Sequence, residues 1–315
     1  MKVFVAGATG AVGRQLLPQL TANGHEVTGM ARDSARCDLI RSLGATPVVA
    51  DALDAEAVAR AVSEVAPEAI VHQLTALPTA LDVRHFERDF ALTNRLRTEG
   101  TDHLLTAGRA TGVRRSVAHS FAGWPYARSG GPVKNEDDPL DPAPPKPMRT
   151  TLEAIRHLED AVLGADWTDG IVLRCGNFYG PGTGFSASPL GAQAELIRAR
   201  RLPVIGAGSG VWSFVHVEDA AAATVAALER GRRGLYNIVD DDSAPVSEWL
   251  PAAAEALGAK HAIRVPRWAG RLAAGEVATI MMTEVRGASN AKAKRELGWR
   301  LRYPCWRQGF VDALG

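Results

Sequence analysis

Three glycines near the amino terminus stand at a spacing that suits a phosphate-binding loop. Gly7, Gly10 and Gly13 follow a short apolar run and open a helical pattern. Glycine permits a tight turn, close approach of the backbone to a pyrophosphate and close helix–strand packing, and the start of the helix attracts the anion. In this strand–loop–helix context the spacing predicts a dinucleotide site; the alternative is a tight turn without a ligand. The predicted loop contacts are Gly7, Thr9, Gly10, Ala11, Val12 and Gly13.

The end of the second predicted strand indicates which cofactor binds. NAD-binding proteins usually place a carboxylate there for the ribose hydroxyls, but this chain has Ala31 at that position and Arg32 after it. A guanidinium pairs bidentately with a 2′-phosphate and stacks on adenine. We therefore expect NADP, with NAD as the alternative if Arg32 is only a solvated surface side chain. Asp33 is interpreted as a helix cap.

Two further strand ends are expected to line the cofactor. Asp51, at the tip of the third strand, is placed either to accept a hydrogen bond from the adenine amino group or to cap the next helix. Ala52 follows it, and the main chain at Leu74, Thr75 and Ala76, after the fourth strand, is expected to line a ribose.

The composition is that of a globular protein that works on a small molecule. Of the 315 residues, 46% are hydrophobic and 23% are charged, and the formal net charge is +1. Without a basic excess or a long run of like charge, nothing favours nucleic acid as a partner. Cys37, Cys175 and Cys305 are too widely spaced for a disulfide framework or a zinc site, so no metal is expected. The first apolar run is too short for a secretory signal and no run is long enough for a membrane span, so we expect a cytoplasmic protein.

The elements that must position these residues alternate between strand and helix. Strands are predicted at Val3–Ala6, Glu26–Ala31, Thr46–Ala50, Ala69–Leu74, Arg115–Ser120 and Ile171–Arg174, and helices at Arg14–Ala22, Ala55–Val65 and Thr93–Thr111. Alternation at this spacing predicts βαβ units and an α/β fold with a Rossmann-type, doubly wound parallel sheet.

The chain is expected to divide into two parts. Residues 1–175 are predicted to form the NADP-binding Rossmann domain. Residues 176–315 are predicted to form a smaller, mainly helical substrate-side region, with 211–240 returning to the Rossmann sheet as strands at Phe214–Val217 and Gly234–Val239.

Several segments together resemble the extended short-chain dehydrogenase/reductase family, also called the NAD-dependent epimerase/dehydratase family. They are the opening glycine motif, Asn94 ahead of a long helix, Arg174–Pro181 (similar to the family's RxxNxYGP turn), Phe214–Ala220 (similar to FVHVDDVA), and Ser289–Lys292 with Glu296–Trp299 (similar to SKA…LGW). The resemblance covers nearly the whole chain and implies an enzyme with a nicotinamide cofactor. It implies further cofactor contacts at Asn94, Cys175 and Asn177, and a homodimer formed through two long helices.

The catalytic residues that the resemblance implies are only partly present. In the family a Tyr transfers the proton, a Lys lowers the pKa of that Tyr and holds the ribose, and a Ser hydrogen-bonds the substrate oxygen. Ser120 matches the serine. Placing Glu159 on the acidic residue common in the next helix puts Thr151 at the tyrosine and Ile155 at the lysine. An isoleucine lowers no pKa, and a threonine hydroxyl is too weak an acid to replace a phenol unaided.

Three interpretations of this departure stay open. Another titratable side chain can substitute, and histidine suits the role because it titrates near neutral pH. The candidates in or near the pocket segments are His119, Tyr126, Lys134, Glu136, Arg149 and His157. Alternatively, the substrate needs only hydride and takes its proton from water or from itself, or the chain binds the cofactor without turning it over. The residues taken as catalytic are Ser120, which would bind the reacting oxygen, Thr151 and His119.

An aromatic residue stands where nucleotide-sugar members of the family bind a diphosphate. Those members carry an arginine shortly before the FVHV strand, and this chain has Trp212 there. An indole cannot neutralise phosphate but offers a large apolar face. Together with Trp124 and Phe178, Trp212 favours an apolar or aromatic substrate; the alternative is that it packs under a loop. The proline-rich segment Gly123–Pro147 is predicted to be a functional loop, such as a lid or a pocket wall.

The function predicted from these residues is an NADP-dependent oxidoreductase acting on a small apolar or aromatic carbonyl-type substrate. Two alternatives stay open: an epimerase or dehydratase with transient oxidation, and a non-catalytic NADP-binding regulatory protein. The retained Ser120 and the aromatic residues favour an enzyme, because a sensor has little need of a substrate pocket.

Overall fold

Strands and helices alternate along most of the chain. The computed structural model describes residues 1–78, 82–186 and 191–314. The strands in these ranges are β1 (Lys2–Ala6), β2 (Glu26–Ala31), β3 (Thr46–Val49), β4 (Ala69–His72), β5 (Arg115–Phe121), β6 (Val133–Lys134), β7 (Asp169–Cys175), β8 (Asn177–Tyr179), β9 (Val204–Ile205), β10 (Val211–Trp212), β11 (Phe214–His216), β12 (Gly234–Ile238), β13 (Ala244–Pro245), β14 (Arg264–Val265) and β15 (Gly287–Ala288). The helices are α1 (Ala11–Ala22), α2 (Cys37–Ser42), α3 (Ala55–Val65), α4 (Phe86–Arg97), α5 (Glu99–Thr111), α6 (Arg149–Gly164), α7 (Ala192–Arg198), α8 (Val217–Arg230), α9 (Val246–Ala256), α10 (Arg267–Thr283), α11 (Ala291–Leu297) and α12 (Trp306–Leu314). None of these helices is long and apolar enough to cross a membrane.

Seven parallel strands form the central sheet. Their order is β12-β7-β5-β4-β1-β2-β3. The order reverses between β1 and β4, which lie side by side with Val3 opposite Ala69 and Ala6 opposite His72. Where the strand order reverses, the carboxyl ends leave a crevice in which α/β proteins bind their ligands. The predicted parallel α/β fold is confirmed, and the glycine loop after β1 lies at this crevice.

Strand β1 shows how the sheet is buried on both faces. Val3 and Val5 pack with Leu16 of α1, whereas Phe4 packs on the opposite face with Val58 of α3. The side chains alternate because a strand repeats every two residues. Each fully buried aliphatic side chain contributes about 1.5–3 kcal/mol. Helices on both faces therefore account for the continuous apolar runs in the sequence.

A second hydrophobic core lies in the carboxyl-terminal part of the chain. Trp249 of α9 is buried there with Trp306 and Phe310 of α12, against Phe185 and Phe214. The rings of Phe214 and Phe310 meet edge to face, with centroids 5.1 Å apart. This aromatic packing gives the mainly helical region a core of its own.

The predicted return of Phe214–Val217 to the central sheet is wrong. This segment forms β11, which pairs with β8 in a separate two-stranded sheet, with Phe214 opposite Asn177. A Cβ added to Gly176 would lie 2.8 Å from the main-chain oxygen of Ser213. The close approach at this glycine lets β8 leave the sheet after β7 and pair with β11. From the region 211–240, the strand that joins the central sheet is β12, beside β7.

The helix predicted from Thr93 to Thr111 begins earlier and is interrupted. Helices α4 and α5 are separated at Thr98, whose φ of −94° and ψ of −83° are not helical. The Thr98 hydroxyl donates a hydrogen bond to the carbonyl oxygen of Asn94 at 3.1 Å. A hydroxyl bonded back to the preceding turn bends helices.

The carboxyl-terminal region does not lie wholly on the substrate side. Ala293 and Leu297 of α11 are buried with Trp299 in the core that α8 shares with the central sheet. The Trp299 indole N–H donates to the carbonyl oxygen of Asp219 at 3.1 Å. Residues from both sides of the boundary predicted at residue 176 therefore pack in the core of the central sheet.

Candidate active site

The glycine loop between β1 and α1 is tightly packed at two of its three glycines. Gly7 has a φ of +97°, and a Cβ added there would lie 2.8 Å from the main-chain oxygen of Gln73. A Cβ on Gly13 would lie 2.5 Å from the carbonyl oxygens of Gly7 and Ala8. At Gly10 an added Cβ meets only the Gly7 oxygen, at 3.4 Å. Helix α1 starts after Gly10 without a side-chain cap, so this loop fits the pyrophosphate of a dinucleotide.

Basic side chains gather around Thr9 in the same loop. Arg14 Nε donates to the carbonyl oxygen of Thr9 at 3.0 Å, and Arg36 Nη1 lies 3.5 Å from the Thr9 hydroxyl. Arg32 is exposed directly after β2. The Asp33 side chain makes no cap hydrogen bond, contrary to prediction, and lies 3.9 Å from Arg36 Nε. Sequence reasoning did not single out Arg36, which is four positions after Arg32. A role for Arg32 at a cofactor phosphate stays a prediction.

Asp51 closes a turn after β3. Its Oδ1 accepts a hydrogen bond from the amide of Leu53 at 3.0 Å, whereas the side chain that caps α3 belongs to Asp54. Asp51 is therefore not the helix cap, and its exposed carboxylate leaves adenine recognition as a proposal. Ala52 is buried, and its carbonyl oxygen lies 2.9 Å from Nδ1 of His103.

The segment after β4 is tied to α4. The amide of Ala76 donates to the Thr93 hydroxyl at 3.0 Å. Leu74 is partly buried and Thr75 is exposed. Gln73, next to the glycine loop, has a buried amide whose two polar atoms have no hydrogen-bond partner among residues 1–78, 82–186 and 191–314. Buried polar atoms usually find partners, so a polar ligand atom in the crevice suits this position.

The turn after β8 folds over the glycine loop. A Cβ on Gly182 would lie 3.6 Å from the Cβ of Ala11. Phe178 packs against the same core as Ala11. Asn177 Nδ2 donates to the carbonyl oxygen of Ser213 at 3.0 Å, which fixes the turn to β11. Contacts of Phe178 and Asn177 with a cofactor stay a prediction.

The hydroxyl of Ser120 is part of a buried ion-pair network. It donates to Glu159 Oε1 at 2.6 Å, and the same carboxylate accepts from Arg174 Nε at 2.8 Å and Nη2 at 2.5 Å. All three residues are buried. The Arg174 guanidinium also lies 5.0 Å from the centroid of the Tyr126 ring. A hydroxyl has one proton to donate, so in this arrangement Ser120 offers a substrate only lone pairs.

Thr151 joins α6 to α4 through Asn94. Asn94 Nδ2 donates to the Thr151 hydroxyl oxygen at 3.1 Å, and Thr151 is fully enclosed. Ile155, one turn later, is also fully buried and packs in an apolar cluster with Leu152. The tyrosine and lysine positions of the family thus hold an enclosed hydroxyl and apolar packing. The Asn94 side chain, which was predicted to contact the cofactor, uses its amide nitrogen to join α4 to α6.

His119 and Ser120 lie on opposite faces of the sheet because successive strand residues alternate. His119 Nε2 lies 2.8 Å from the Thr224 hydroxyl on α8, and its Nδ1 lies 3.9 Å from the Cys175 sulfur. Burial lowers the pKa of His119 to about 4 and raises the pKa of the Cys175 thiol. Geometry therefore does not support His119 as a catalytic partner of Ser120. The Cys175 thiol, predicted at the cofactor, lies in the core as well.

An aromatic cluster formed by Phe86, Phe90 and Trp124 lies beside α6. Phe86 and Phe90 stack with centroids 4.3 Å apart, and Trp124 meets Phe86 edge to face at 5.7 Å. Phe121, directly after Ser120, packs against this cluster. Sequence reasoning missed Phe86 and Phe90, although two aromatic residues four positions apart mark one face of a helix.

Trp212 borders this aromatic cluster and the carboxyl-terminal core. Its indole N–H donates to the carbonyl oxygen of Met281 at 2.8 Å, and its ring lies 4.8 Å from that of Trp249. Of the three predicted substrate contacts, Trp124 and Trp212 therefore share one apolar region, whereas Phe178 packs against the core of the central sheet.

Comparison with known proteins places this arrangement in a family. The profile of the NAD dependent epimerase/dehydratase family matches residues 3–239. A Streptomyces protein named 3-diazoavenalumate denitrifying reductase is 44% identical over 310 residues, which cover 98% of this chain and 99% of that protein. The solved UDP-glucose 4-epimerase of Thermus thermophilus, in complex with NAD, has a TM-score of 0.73 at 26% identity and covers 100% of this chain and 98% of that one. The UDP-glucose 4-epimerase of Thermotoga maritima, with UDP-glucose, has a TM-score of 0.76 at 22% identity and covers 100% and 97%. The chain belongs to the NAD-dependent epimerase/dehydratase family, the extended short-chain dehydrogenases/reductases.

Proposed function

We propose that the chain is an NADPH-dependent reductase that transfers hydride to an electrophilic aromatic substrate and supplies no proton of its own. The proposal rests on the residues that this chain has at the three positions where the family places Ser, Tyr and Lys. Ser120 donates its proton to Glu159, and Thr151 is enclosed and accepts from Asn94. Ile155 has no polar side-chain atom. A substrate whose reduction ends without an added proton suits such a site.

The name of the Streptomyces relative supports this class of reaction, because it describes a denitrifying reductase of a diazo compound. An aryl diazonium ion needs only one hydride. A C–H bond forms at the ring carbon, the C–N bond breaks, and its electron pair leaves with N2. The diazonium ion and NADPH thus give the arene, N2 and NADP+, with atoms and charge in balance. A carbonyl substrate, expected from the sequence, would have to take its proton from water.

The chain's own residues would bind and orient the two reactants. The cofactor, when bound, supplies the hydride. The loop from Gly7 to Gly13 is suited to hold its pyrophosphate at the start of α1. The network of Ser120, Glu159 and Arg174 fixes the end of β5, where the reacting groups would meet. The aromatic cluster offers faces and edges that can pack on a substrate ring and exclude water.

The reaction is tested by incubating the protein with NADPH and an aryl diazonium salt, a quinone, an enone or a ketone. We expect the diazonium salt to be turned over much faster than in buffer alone, measured by loss of the reduced-nicotinamide absorbance. NADPH deuterated at the hydride position should place deuterium on the ring carbon that carried nitrogen, detected by mass spectrometry. Turnover of ketones alone would contradict the proposal, and tight NADPH binding without any turnover would favour a regulatory protein.

We propose a preference for NADPH over NADH because of Arg32 and Arg36. Replacing either by Ala should weaken NADPH binding about tenfold, since charge-assisted bonds to a phosphate are lost. NADH affinity should hardly change. Arg41→Ala is the matched control, because Arg41 is exposed on the adjoining helix and paired with Asp38 at 2.7 Å. Equal losses for both cofactors in a fluorescence titration would remove Arg32 and Arg36 from the phosphate site.

We also propose that two copies pair through α5 and α6. These helices and the turn after α6 line an open groove with Leu105, Thr106, Arg109, Asp160 and Ala161. Sedimentation equilibrium should give twice the mass of one chain, and Ala161→Arg should reduce it to that of one chain. A single-chain mass for the natural sequence would contradict this pairing.

A further inference from the structure

Arg97, at the end of α4, is a buried cation with unused hydrogen-bonding capacity. Its side chain is enclosed, with 7% of the residue exposed. Its Nη1 atom is enclosed and has no hydrogen-bond partner in the described part of the chain. Burial lowers the pKa of Arg97 to about 10, against the opposing influence of Glu159, so the group is charged at neutral pH.

The charges around Arg97 do not balance. The Glu159 carboxylate already accepts from Ser120 and from two nitrogens of Arg174. Burial first, then His119 and Arg97, lowers the pKa of His72 to about 3, so this neighbour is neutral. Among the described residues, the carboxylate whose charge acts on Arg97 is that of Glu159, and Arg174 already holds it with two hydrogen bonds. A buried charge without full compensation is costly unless another group hydrogen-bonds it.

Arg97 lies on a helix that borders the crevice. One turn earlier, Thr93 accepts from Ala76 in the segment after β4, and Asn94 donates to Thr151 of α6. Residues three or four apart share a helix face, so Arg97 lies on the face that α4 turns to α6. The next turn of α6 carries Ile155, which has no polar atom to offer.

We infer that Arg97 binds an oxygen-bearing group of a ligand bound in the crevice that α4 borders. The chemistry it recognises is a hydrogen-bond-accepting oxygen, and an anionic one would also balance the extra positive charge. Two sources have this chemistry: the reduced cofactor, and a substrate that carries a carboxylate or phenolate. Arg97 is then a specificity residue of the site, and the proposal holds for any reaction the site performs.

The test uses Arg97→Met, which removes the charge and keeps much of the apolar stem. We measure the dissociation constant of NADPH, and that of 4-hydroxybenzoate on the protein saturated with NADP+, both by isothermal titration calorimetry. Loss of hydrogen bonds to a charged group should raise the dissociation constant of the affected ligand by about tenfold or more. A loss for NADPH identifies the cofactor as the source, and a loss for 4-hydroxybenzoate alone identifies the substrate.

A structural role for Arg97 gives the opposite pattern. If Arg97 only supports Glu159, Arg97→Met should lower the melting temperature of the ligand-free protein and leave both dissociation constants unchanged, and this result would overturn the inference. If Arg97 binds ligand, ligand-free stability should be unchanged or higher, because an uncompensated buried charge has been removed.

Arg97→Lys, which keeps the charge, should give an intermediate loss of affinity if the Met variant fails to fold. Arg95→Met is the control, since Arg95 is exposed on the same helix and pairs with Glu99 at 2.7 Å. Neither binding test needs turnover, so a failure of the proposed reaction is distinguishable from a failure of this inference.

Discussion

The Ser120 hydroxyl and the Glu159 carboxylate lie 2.6 Å apart in a buried site, and the proton runs from the serine to the glutamate. Arg174 holds the same carboxylate with two further hydrogen bonds. Charge-assisted bonds of this kind are strong. The serine proton is therefore held within the protein at the end of β5.

Ser120→Ala should change the rate of diazonium reduction by less than about tenfold, because hydride transfer to this substrate does not use the serine proton. The free energy of unfolding should fall by about 1.5–3 kcal/mol, since a buried hydrogen bond to a charged group is lost. Urea unfolding and single-turnover kinetics measure the two effects. Ser116→Ala is the control for stability, because Ser116 makes a buried hydrogen bond to Thr168 at 3.3 Å on the same strand. A loss of rate of a thousandfold or more with Ser120→Ala would show that the serine acts in the chemical step.

The glycine loop allows cofactor binding to be separated from folding. Gly10→Ala adds a methyl group that meets only one protein atom, at 3.4 Å, so the protein should fold normally but bind NADPH at least about tenfold more weakly. Gly13→Ala places its methyl group 2.5 Å from two carbonyl oxygens, so both stability and binding should be lost. Calorimetric unfolding and NADPH titration distinguish the two variants. Normal NADPH affinity in Gly10→Ala would place the pyrophosphate elsewhere.

The sequence was sufficient for the sheet and for the glycine turn between β1 and α1 because both depend on local patterns. Apolar runs predict buried strands, and glycines between a strand and a helix predict a phosphate loop. The break at Thr98 depends on a single hydroxyl bonded to the preceding turn, and the separate pairing of Phe214–His216 depends on contacts between distant segments. Such contacts leave no periodic signal in the sequence.

In the candidate site, too, local patterns could be predicted from the sequence and contacts between distant elements could not. Strand alternation alone would have placed His119 and Ser120 on opposite faces, but the partners of each side chain come from α6 and α8. In the sequence, Arg97 is only a charged residue one turn after Asn94. The structure shows that its side chain is buried. Sequence patterns predict which residues share a face, whereas the fold decides what that face meets.

His119 makes stability depend on pH. Burial lowers its pKa to about 4 in the folded protein, against roughly 6.5 in an unfolded chain. Above the pKa of the unfolded chain, His119 is neutral in both the folded and the unfolded state, and its contribution to stability is fully present. As the pH falls from 6.5 towards 4, the unfolded chain takes up a proton that the folded protein does not. The free energy of unfolding should therefore decrease, by up to about 3 kcal/mol from this residue.

The measurement is urea unfolding at about pH 7 and about pH 4.5, between the two pKa values. His119→Gln removes the titrating group and should lose less stability than the natural protein over this interval. His157→Gln is the control, because His157 is partly exposed and lies 2.8 Å from Asp102. The same pH dependence in His119→Gln as in the natural protein would contradict a His119 that stays neutral in the folded protein.

Thr151 distinguishes a structural hydroxyl from a catalytic one. Its oxygen accepts a hydrogen bond from Asn94 Nδ2, and Asn94 Oδ1 has no partner in the described residues. Thr151→Val keeps the shape but leaves the buried amide of Asn94 unpaired at both ends, which should lower the free energy of unfolding by about 1–3 kcal/mol. Diazonium reduction at a temperature where the variant is folded should keep its rate, because no proton is required from this hydroxyl. Thr151→Ser, which keeps the hydroxyl, should recover part of the stability. If Thr151→Val instead retains stability and loses turnover, with Thr151→Ser restoring it, the hydroxyl takes part in the reaction and a reduction without a protein proton donor is the wrong description of this enzyme.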